Sequence, residues 1–189
     1  MKRHGIKFEN DETPFIVISQ FEERVKKSQA HHKKALENAT SIGTLYNQHL
    51  FEQAIDNAYY AIFHAMQALI TLAGYQVISK HHSDVWKIFK TMFIEQALGD
   101  QDLAIFFHQN GVISEEFYRE VHFIRELRDH VRYEPEANAN SAITEDIMCR
   151  STWIYGKLFE CRDELERFLS CRKRTISEKT IQRGLNIKS

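Results

Sequence analysis

Long stretches without helix-breaking residues constrain the fold of this chain more than any other feature. Its 189 residues contain only two prolines, Pro14 and Pro135, and seven glycines. Proline and glycine are the residues least compatible with a helix interior, and between the two prolines apolar residues recur at helical spacing. We therefore predict an all-α protein, an up-and-down antiparallel bundle of about five helices.

The composition is typical of a protein that folds as a single domain around a hydrophobic core. Hydrophobic residues make up 43% of it, enough for the core of a single domain, and the formal net charge of -1 does not indicate a nucleic-acid binder. The uncharged stretch 57–79 contains His64 and Gln67 at helical positions, which argues against a membrane span. Three cysteines without zinc-site spacing and no signal peptide predict a cytoplasmic protein with free thiols.

The ends of the chain are expected to lie outside the bundle. Residues 1–13 are polar, and we expect them to be flexible. Thr13 and Pro14 are typical of a helix N-cap followed by proline at the first helical position, so a helical region is predicted from there to about Tyr46, with breaks expected near Ser28 or Gly43. The bundle is predicted over 14–171. Residues 172–189 form a basic tail, either a frayed end or a segment that contacts RNA phosphates.

The next predicted helix, about Phe51 to Ala73, is expected at the centre of the fold. An alanine stripe and a parallel stripe of larger apolar residues imply burial on two sides. The third face is polar but uncharged, so we expect it to be half-buried or in an interface. That face comprises Gln53, Asn57, Tyr60, His64, Gln67 and Thr71.

Caps and turns divide the rest of the chain. Gly74 is expected to end the central helix, and Ser83 with Asp84 to cap a third. Ser114 is expected to start a helix that ends near Tyr133, because Glu134 precedes a proline. Between the third helix and this one, residues 95–113 fit either a helix or a loop. The last long helix has a heptad seam, which consists of Ile147, Ser151, Ile154, Leu158, Cys161, Leu165 and Phe168.

The helix that ends near Tyr133 carries three arginines on one face. Arg125, Arg128 and Arg132 fall at i, i+3 and i+7, beside an apolar stripe, with His130 beyond it. A row of guanidinium groups near a titratable imidazole is what a phosphate-handling site needs.

The same pattern also fits an ordinary amphipathic helix. Ion pairs of Asp129 with Arg125 and with Arg132 would satisfy most of the charge. His130 would then be a surface residue favoured by the helix dipole near the C-terminus.

The string NAYYAIFHAMQAL at residues 57–69 resembles the signature helix of the HEPN family, the higher-eukaryote and prokaryote nucleotide-binding class. Further segments resemble the same family: KAL at 34–36, Gly74, HSDV at 82–85 and LRDHVRYEP at 127–135. The resemblance covers roughly residues 30–170. It implies a helical bundle that dimerises. In many members it also implies a metal-independent ribonuclease whose Arg-x4–6-His motif is assembled from both protomers.

Two alignments of this motif are open. Arg125 and His130 satisfy the Arg-x4-His spacing literally. Aligning Arg128 with the arginine of the family's Leu-Arg places Tyr133 at the histidine position instead. A subgroup of the family reads Arg-x-x-x-Asp-Tyr there, and this chain has Arg132 in place of that aspartate.

The resemblance assigns roles to these residues. His130 would act as acid or base in RNA cleavage, and Arg125, with Arg128 or Arg132, would hold the phosphate. Tyr133, Tyr60 and His64 would contact RNA or a nucleotide; for Tyr60 and His64 the alternative is a hydrogen-bonded position in the core.

No cofactor or metal is expected. The adjacent histidines at 31–32 and 81–82 diverge by about 100° on a helix, with no carboxylate or thiolate spaced to complete a metal site.

Three functions follow as hypotheses. The first is a homodimeric ribonuclease toxin acting on RNA, silenced by a minimal nucleotidyltransferase antitoxin that covers the cleft or modifies Tyr133. The second is a module that binds a nucleotide or a partner protein without catalysis. The third is a structural subunit of a larger complex.

Overall fold

In the part of the chain that the structure describes there are five α-helices and a two-stranded ribbon, so the prediction of an all-α helical bundle is confirmed. The computed structural model describes residues 14–79, 81–95, 113–134 and 139–186, together with Leu103 and Phe106, with side chains as far as Lys173. In chain order the elements are β1 (Phe15–Val17), α1 (Phe21–Asn47), α2 (Phe51–Leu72), β2 (Tyr75–Val77), α3 (His82–Phe89), a π-helical turn (Lys90–Ile94), α4 (Glu115–Tyr133) and α5 (Ser141–Asn186).

Helix α2 is the centre of the core, as its two apolar stripes predict. It packs chiefly on α1 and α5, and it also contacts α3 and α4. Ile62, Met66 and Leu69 are fully buried, and burying a side chain of this size stabilises the fold by about 1.5–3 kcal/mol. The alanine stripe is also buried, which allows the close approach of a neighbouring helix. Its members are Ala54, Ala58, Ala61, Ala65 and Ala68.

The predicted helix start at Pro14 is wrong. Residues Phe15–Val17 form a short strand that pairs antiparallel with Tyr75–Val77, and α1 begins only at Phe21. The Pro14 carbonyl accepts a hydrogen bond from the Ile78 amide at 2.8 Å. A run of Phe, Ile and Val favours a strand when a partner is near, and the chain leaving α2 supplies that partner. Tertiary pairing therefore outweighs the local helix-start signal.

Helix α1 runs unbroken through both positions where a break was expected. Ser28 is buried, and its hydroxyl donates to the Ala68 carbonyl of α2 at 2.8 Å. The same hydroxyl accepts from the Arg162 guanidinium of α5 at 3.3 Å. Ser28 therefore joins three helices, and Gly43 lies in the helix with open space around it.

Apart from the start of α1, the helix ends agree with the predicted signals except at the start of α3. Gly74 follows α2 with a φ of 106°, in the region that favours glycine. The Ser114 hydroxyl accepts from the Phe117 amide at 3.1 Å, and α4 ends at an extended Glu134. The Ser83–Asp84 cap is wrong, because α3 already begins at His82 and has no side-chain cap.

Helix α5 packs on the rest of the bundle through the heptad seam that the sequence predicts. Ile147, Ile154, Leu158, Cys161 and Leu165 are buried, and the half-buried Phe168 packs on the Phe106 ring at 5.0 Å between centroids. The helical backbone continues through the basic segment to Asn186. The expected flexibility of 1–13 and the structure of most of 95–113 lie outside the described residues. Within the described ranges, no helix is long and apolar enough to cross a membrane.

Two glycines give a matched test of backbone strain. A Cβ at Gly74 would lie 2.7 Å from the Arg24 guanidinium carbon at a φ that L-residues rarely adopt, whereas Gly43 has nothing within 4 Å. Gly74→Ala should lower the free energy of unfolding by at least roughly 1–2 kcal/mol. Gly43→Ala should raise it by about 0.5–1 kcal/mol. Urea denaturation measures both, and equal effects would contradict the strain at Gly74.

Candidate functional site

Arg128 is a buried cation at the contact between α4 and α2. The residue is only 6% exposed. Its Nε donates to Asp56 Oδ1 of α2 at 2.9 Å, and one Nη donates to Asp129 Oδ1 at 2.7 Å. Burial alone would lower the pKa of Arg128, but the hydrogen bonds to Asp129 and Asp56 outweigh it and raise that pKa. The guanidinium therefore stays charged, and its charge is balanced inside the fold by the carboxylates of Asp56 and Asp129.

The other two arginines flank this buried pair. Arg132 donates from Nη1 to Asp56 Oδ2 at 2.7 Å, and Arg125 Nε lies 3.7 Å from Asp129 Oδ2. The expected Arg125–Asp129 ion pair is confirmed. The expected Asp129–Arg132 pair is wrong, because Asp129 turns to Arg128 and Arg132 reaches α2 instead. Three guanidinium groups thus share two carboxylates, which leaves one positive charge in excess.

Aromatic rings border the arginines. The guanidinium carbon of Arg128 lies 4.9 Å from the ring centroid of Tyr59, 6.0 Å from that of Tyr60 and 5.7 Å from that of Tyr133. Arg125 lies over the Trp86 ring of α3 at 5.5 Å. Cations at these distances are attracted to the ring faces. The cluster therefore joins α2, α3 and α4.

His82 lies at this cluster and is not among the predicted site residues. Its Nδ1 is 3.1 Å from the Tyr59 hydroxyl, and its ring centroid is 4.4 Å from that of Phe63. Burial lowers the pKa of His82, and the charges of Arg128 and Arg125 lower it further. In the sequence this residue is one of two adjacent histidines, a pattern associated with metals, and it begins the HSDV segment that resembles the HEPN family. Spacing alone does not connect it to Arg125.

Tyr60 and His64 lie on the uncharged face of α2, which is half-buried as predicted. Their rings stack at 6.4 Å, and His64 Nδ1 is 3.1 Å from Gln67 Oε1. The His31 ring of α1 stacks on His64 at 5.9 Å. Both residues are thus partly packed and partly accessible, and their role in binding stays a prediction.

The two alignments of the arginine motif pair different residues, and a single chain brings only one of these pairs into contact. His130 Nδ1 lies 2.8 Å from Glu134 Oε2, and the imidazole is about half exposed. Arg125 faces Trp86 and Asp129 instead, and five residues on a helix correspond to about 140° of rotation. Arg125 and His130 therefore face different sides. Arg128 and Tyr133 of the other alignment are in contact, with Tyr133 69% exposed.

The residues suited to metals are dispersed. Among the described residues, no group of three or more His, Cys, Asp or Glu side chains could hold a metal ion. Cys161 is buried in the α5 seam, and burial raises the pKa of its thiol to about 12. It is a packing residue, while Cys149 and Cys171 are exposed.

The fold agrees with a comparison against known families. The HEPN domain model matches residues 28–174, which covers α2, α3 and α4 completely and most of α1 and α5. The chain belongs to the HEPN domain family. A comparison with curated proteins finds no match.

Acid should destabilise the protein through its partly buried histidines. Burial, with smaller contributions from His64 and Lys34, lowers the pKa of His31 to about 4 from 6.5. Between these pH values the unfolded chain binds the proton and the folded chain does not, so the free energy of unfolding falls as pH falls from 6.5 to about 4. In His31→Gln this slope should shrink by at most about 1.4 kcal/mol per pH unit.

Urea denaturation over a pH series measures this slope. His32, His64 and His82 contribute in the same direction, because burial also lowers their pKa values. His81→Gln, a substitution of an exposed histidine, is the matched control and should keep the full slope. An identical slope in His31→Gln would contradict the account of His31.

Proposed function

We propose that this HEPN protein binds RNA and cleaves it without a metal ion. The observation that carries the proposal is the excess guanidinium charge beside stacked rings, where three arginines share two carboxylates. A phosphodiester supplies one negative charge, and unpaired bases stack on aromatic rings. Arg125 and Arg132 are the arginines with partly exposed side chains, so they are the proposed phosphate contacts.

The reaction fits the groups available. The ribose 2′-hydroxyl attacks phosphorus, the bond from phosphorus to the 5′-oxygen breaks, and a cyclic 2′,3′-phosphate and a 5′-hydroxyl form. One group must take the 2′ proton and another must give a proton to the 5′-oxygen. Arginine stabilises the charge that develops on the phosphoryl oxygens. His130 is the proposed proton-transfer residue of the Arg-x4-His alignment.

A second copy of the chain completes the proposed site. Arg125 faces α3 while His130 faces Glu134 on another side of α4, so the two residues of one chain do not face one phosphate. HEPN domains often dimerise. We propose a symmetric homodimer in which Arg125 of each protomer meets His130 of its partner.

One observation favours a second candidate, a module that binds RNA or a nucleotide without cleaving it. Arg128, the arginine of the other motif alignment, is buried and satisfied by Asp56 and Asp129. In such a module the arginines would hold the bundle together and the rings would bind the ligand. The toxin role and the nucleotidyltransferase partner stay predictions from the family resemblance.

Complementation between two inactive variants tests the shared site. Arg125→Ala and His130→Ala homodimers should each fail to cleave single-stranded RNA in the presence of a chelator. When the two variants are refolded together, half of the dimers are mixed, and each mixed dimer holds one intact site. Activity should therefore return to about a quarter of that of the unaltered protein, as the symmetry of a closed dimer requires.

Controls on the same helix separate this result from a general loss of folding. Arg119→Ala and His122→Ala alter exposed or partly exposed residues of α4 away from the cluster, and each should remain active. No recovery on mixing would mean that both residues act within one chain. RNA that is bound but left intact by the unaltered protein would overturn the enzyme and leave the binding module.

A further inference from the structure

Three histidines follow one another across the faces of α1, α2 and α3. The rings of His31 and His64 stack at 5.9 Å, and those of His64 and Phe63 meet at 5.6 Å. The ring centroid of Phe63 lies in turn 4.4 Å from that of His82. Of the three, His82 is the one that interacts with the arginines of α4, and it is the most exposed.

His82 is held in place more firmly than His130. Its Nδ1 is 3.1 Å from the hydroxyl of Tyr59, which is itself 2% exposed, and its ring packs on Phe63. The Tyr59 ring in turn lies under the Arg128 guanidinium at 4.9 Å. His130 has a contact with Glu134 one turn further along its own exposed helix face.

The Tyr59 contact leaves the other ring nitrogen of His82 for a ligand. Burial raises the pKa of Tyr59, so its hydroxyl stays neutral, and its oxygen can accept a hydrogen bond from the Nδ1–H of His82. In this tautomer Nδ1 carries the single N–H of the neutral imidazole, and Nε2 keeps a lone pair that can accept a proton. A neutral imidazole held by a fixed neighbour is the form that accepts a proton.

We propose that His82 is a catalytic residue of this site, the group that takes the 2′-hydroxyl proton of RNA bound at Arg125 of the same protomer. The inference rests on the proposed ribonuclease function and adds a residue outside the Arg-x4-His motif. The proton leaves the 2′-oxygen for His82 Nε2 as the bond from that oxygen to phosphorus forms. His130 of the partner subunit gives its proton to the departing 5′-oxygen, which balances the step.

The groups that face His82 set the pH at which it can act. From α2 these are Tyr59, Tyr60 and His64, and from α4 they are Arg125, Arg128 and Asp129. Burial and the two arginines lower the pKa of His82 below 6.5, and Asp129 opposes them. Cleavage should therefore keep its full rate down to a pH below 6.5 and fall as His82 takes up a proton.

Substitution with asparagine separates chemistry from structure. His82→Asn places an amide near the position of Nδ1, where it can still bond to Tyr59, and removes Nε2. It should slow single-turnover RNA cleavage by at least about 100-fold. The melting temperature should match that of His81→Asn, which alters the neighbouring exposed histidine and should cleave at close to the unaltered rate.

Tyr59→Phe tests the positioning contact independently. The phenyl ring keeps the packing under Arg128 and against His82, but it cannot accept a hydrogen bond from Nδ1–H, a bond that stabilises the protonated imidazolium more than the neutral ring. The pKa of His82 should therefore fall, and the low-pH limb of the rate profile should move to lower pH, a change that a purely structural role of Tyr59 would not produce. This variant also decides the question if His82→Asn fails to fold.

The outcomes are distinct for the two proposals. Cleavage by the unaltered protein, with His82→Asn as fast as His81→Asn, overturns the role of His82 and leaves the ribonuclease in place. An unmoved low-pH limb in Tyr59→Phe also counts against His82. If the unaltered protein leaves RNA intact without metal, both proposals fall together.

Discussion

The buried guanidinium of Arg128 is the interaction on which the candidate site depends. It crosses from α4 to Asp56 of α2 and is held on its own helix by Asp129. An unpaired charge in this position would cost about 3–5 kcal/mol, so the two carboxylates and the cation fix one another. This fixes the rotation of α4, because only one orientation directs Arg128 inward. Arg125 and Arg132, one turn away on each side, then lie on the same face by helix geometry.

Because the charge of Arg128 is paired inside the fold, the three arginines have different roles. The central one holds the helices together, and the two flanking ones retain partly exposed guanidinium groups. The carboxylates reduce the local charge without cancelling it, which suits a ligand of low charge density such as a single phosphodiester. The rings of Tyr59, Tyr60 and Trp86 keep water from one side of this charge and strengthen its electrostatic effect.

Much of the fold was predictable because its signals are local and periodic. The alanine stripe of α2, the Ser114 cap and the glycine after α2 each act within a few residues of sequence. The ribbon at Phe15–Val17 was missed because its partner lies about 60 residues away, and propensity is a weak guide where pairing decides.

The site was predicted only in part, because some of its contacts also join residues that are far apart in the sequence. Helical spacing placed three arginines on one face, but their partner Asp56 comes from a different helix. The contact of His82 with Tyr59 likewise joins α3 to α2, and no motif connects it to Arg125. Contacts between helices depend on how the bundle packs, and one sequence does not carry that information in its spacing.

A double-mutant cycle on Arg128 and Asp56 tests the central interaction most directly. Urea denaturation of Arg128→Met, Asp56→Ala and the double variant gives the coupling free energy between the two side chains. We predict a favourable coupling of about 2–3 kcal/mol, so the double variant should be more stable than the sum of the two single losses implies. Purely additive losses would show that the guanidinium does not fix α4 on α2, and the arrangement of the site would lose its physical basis.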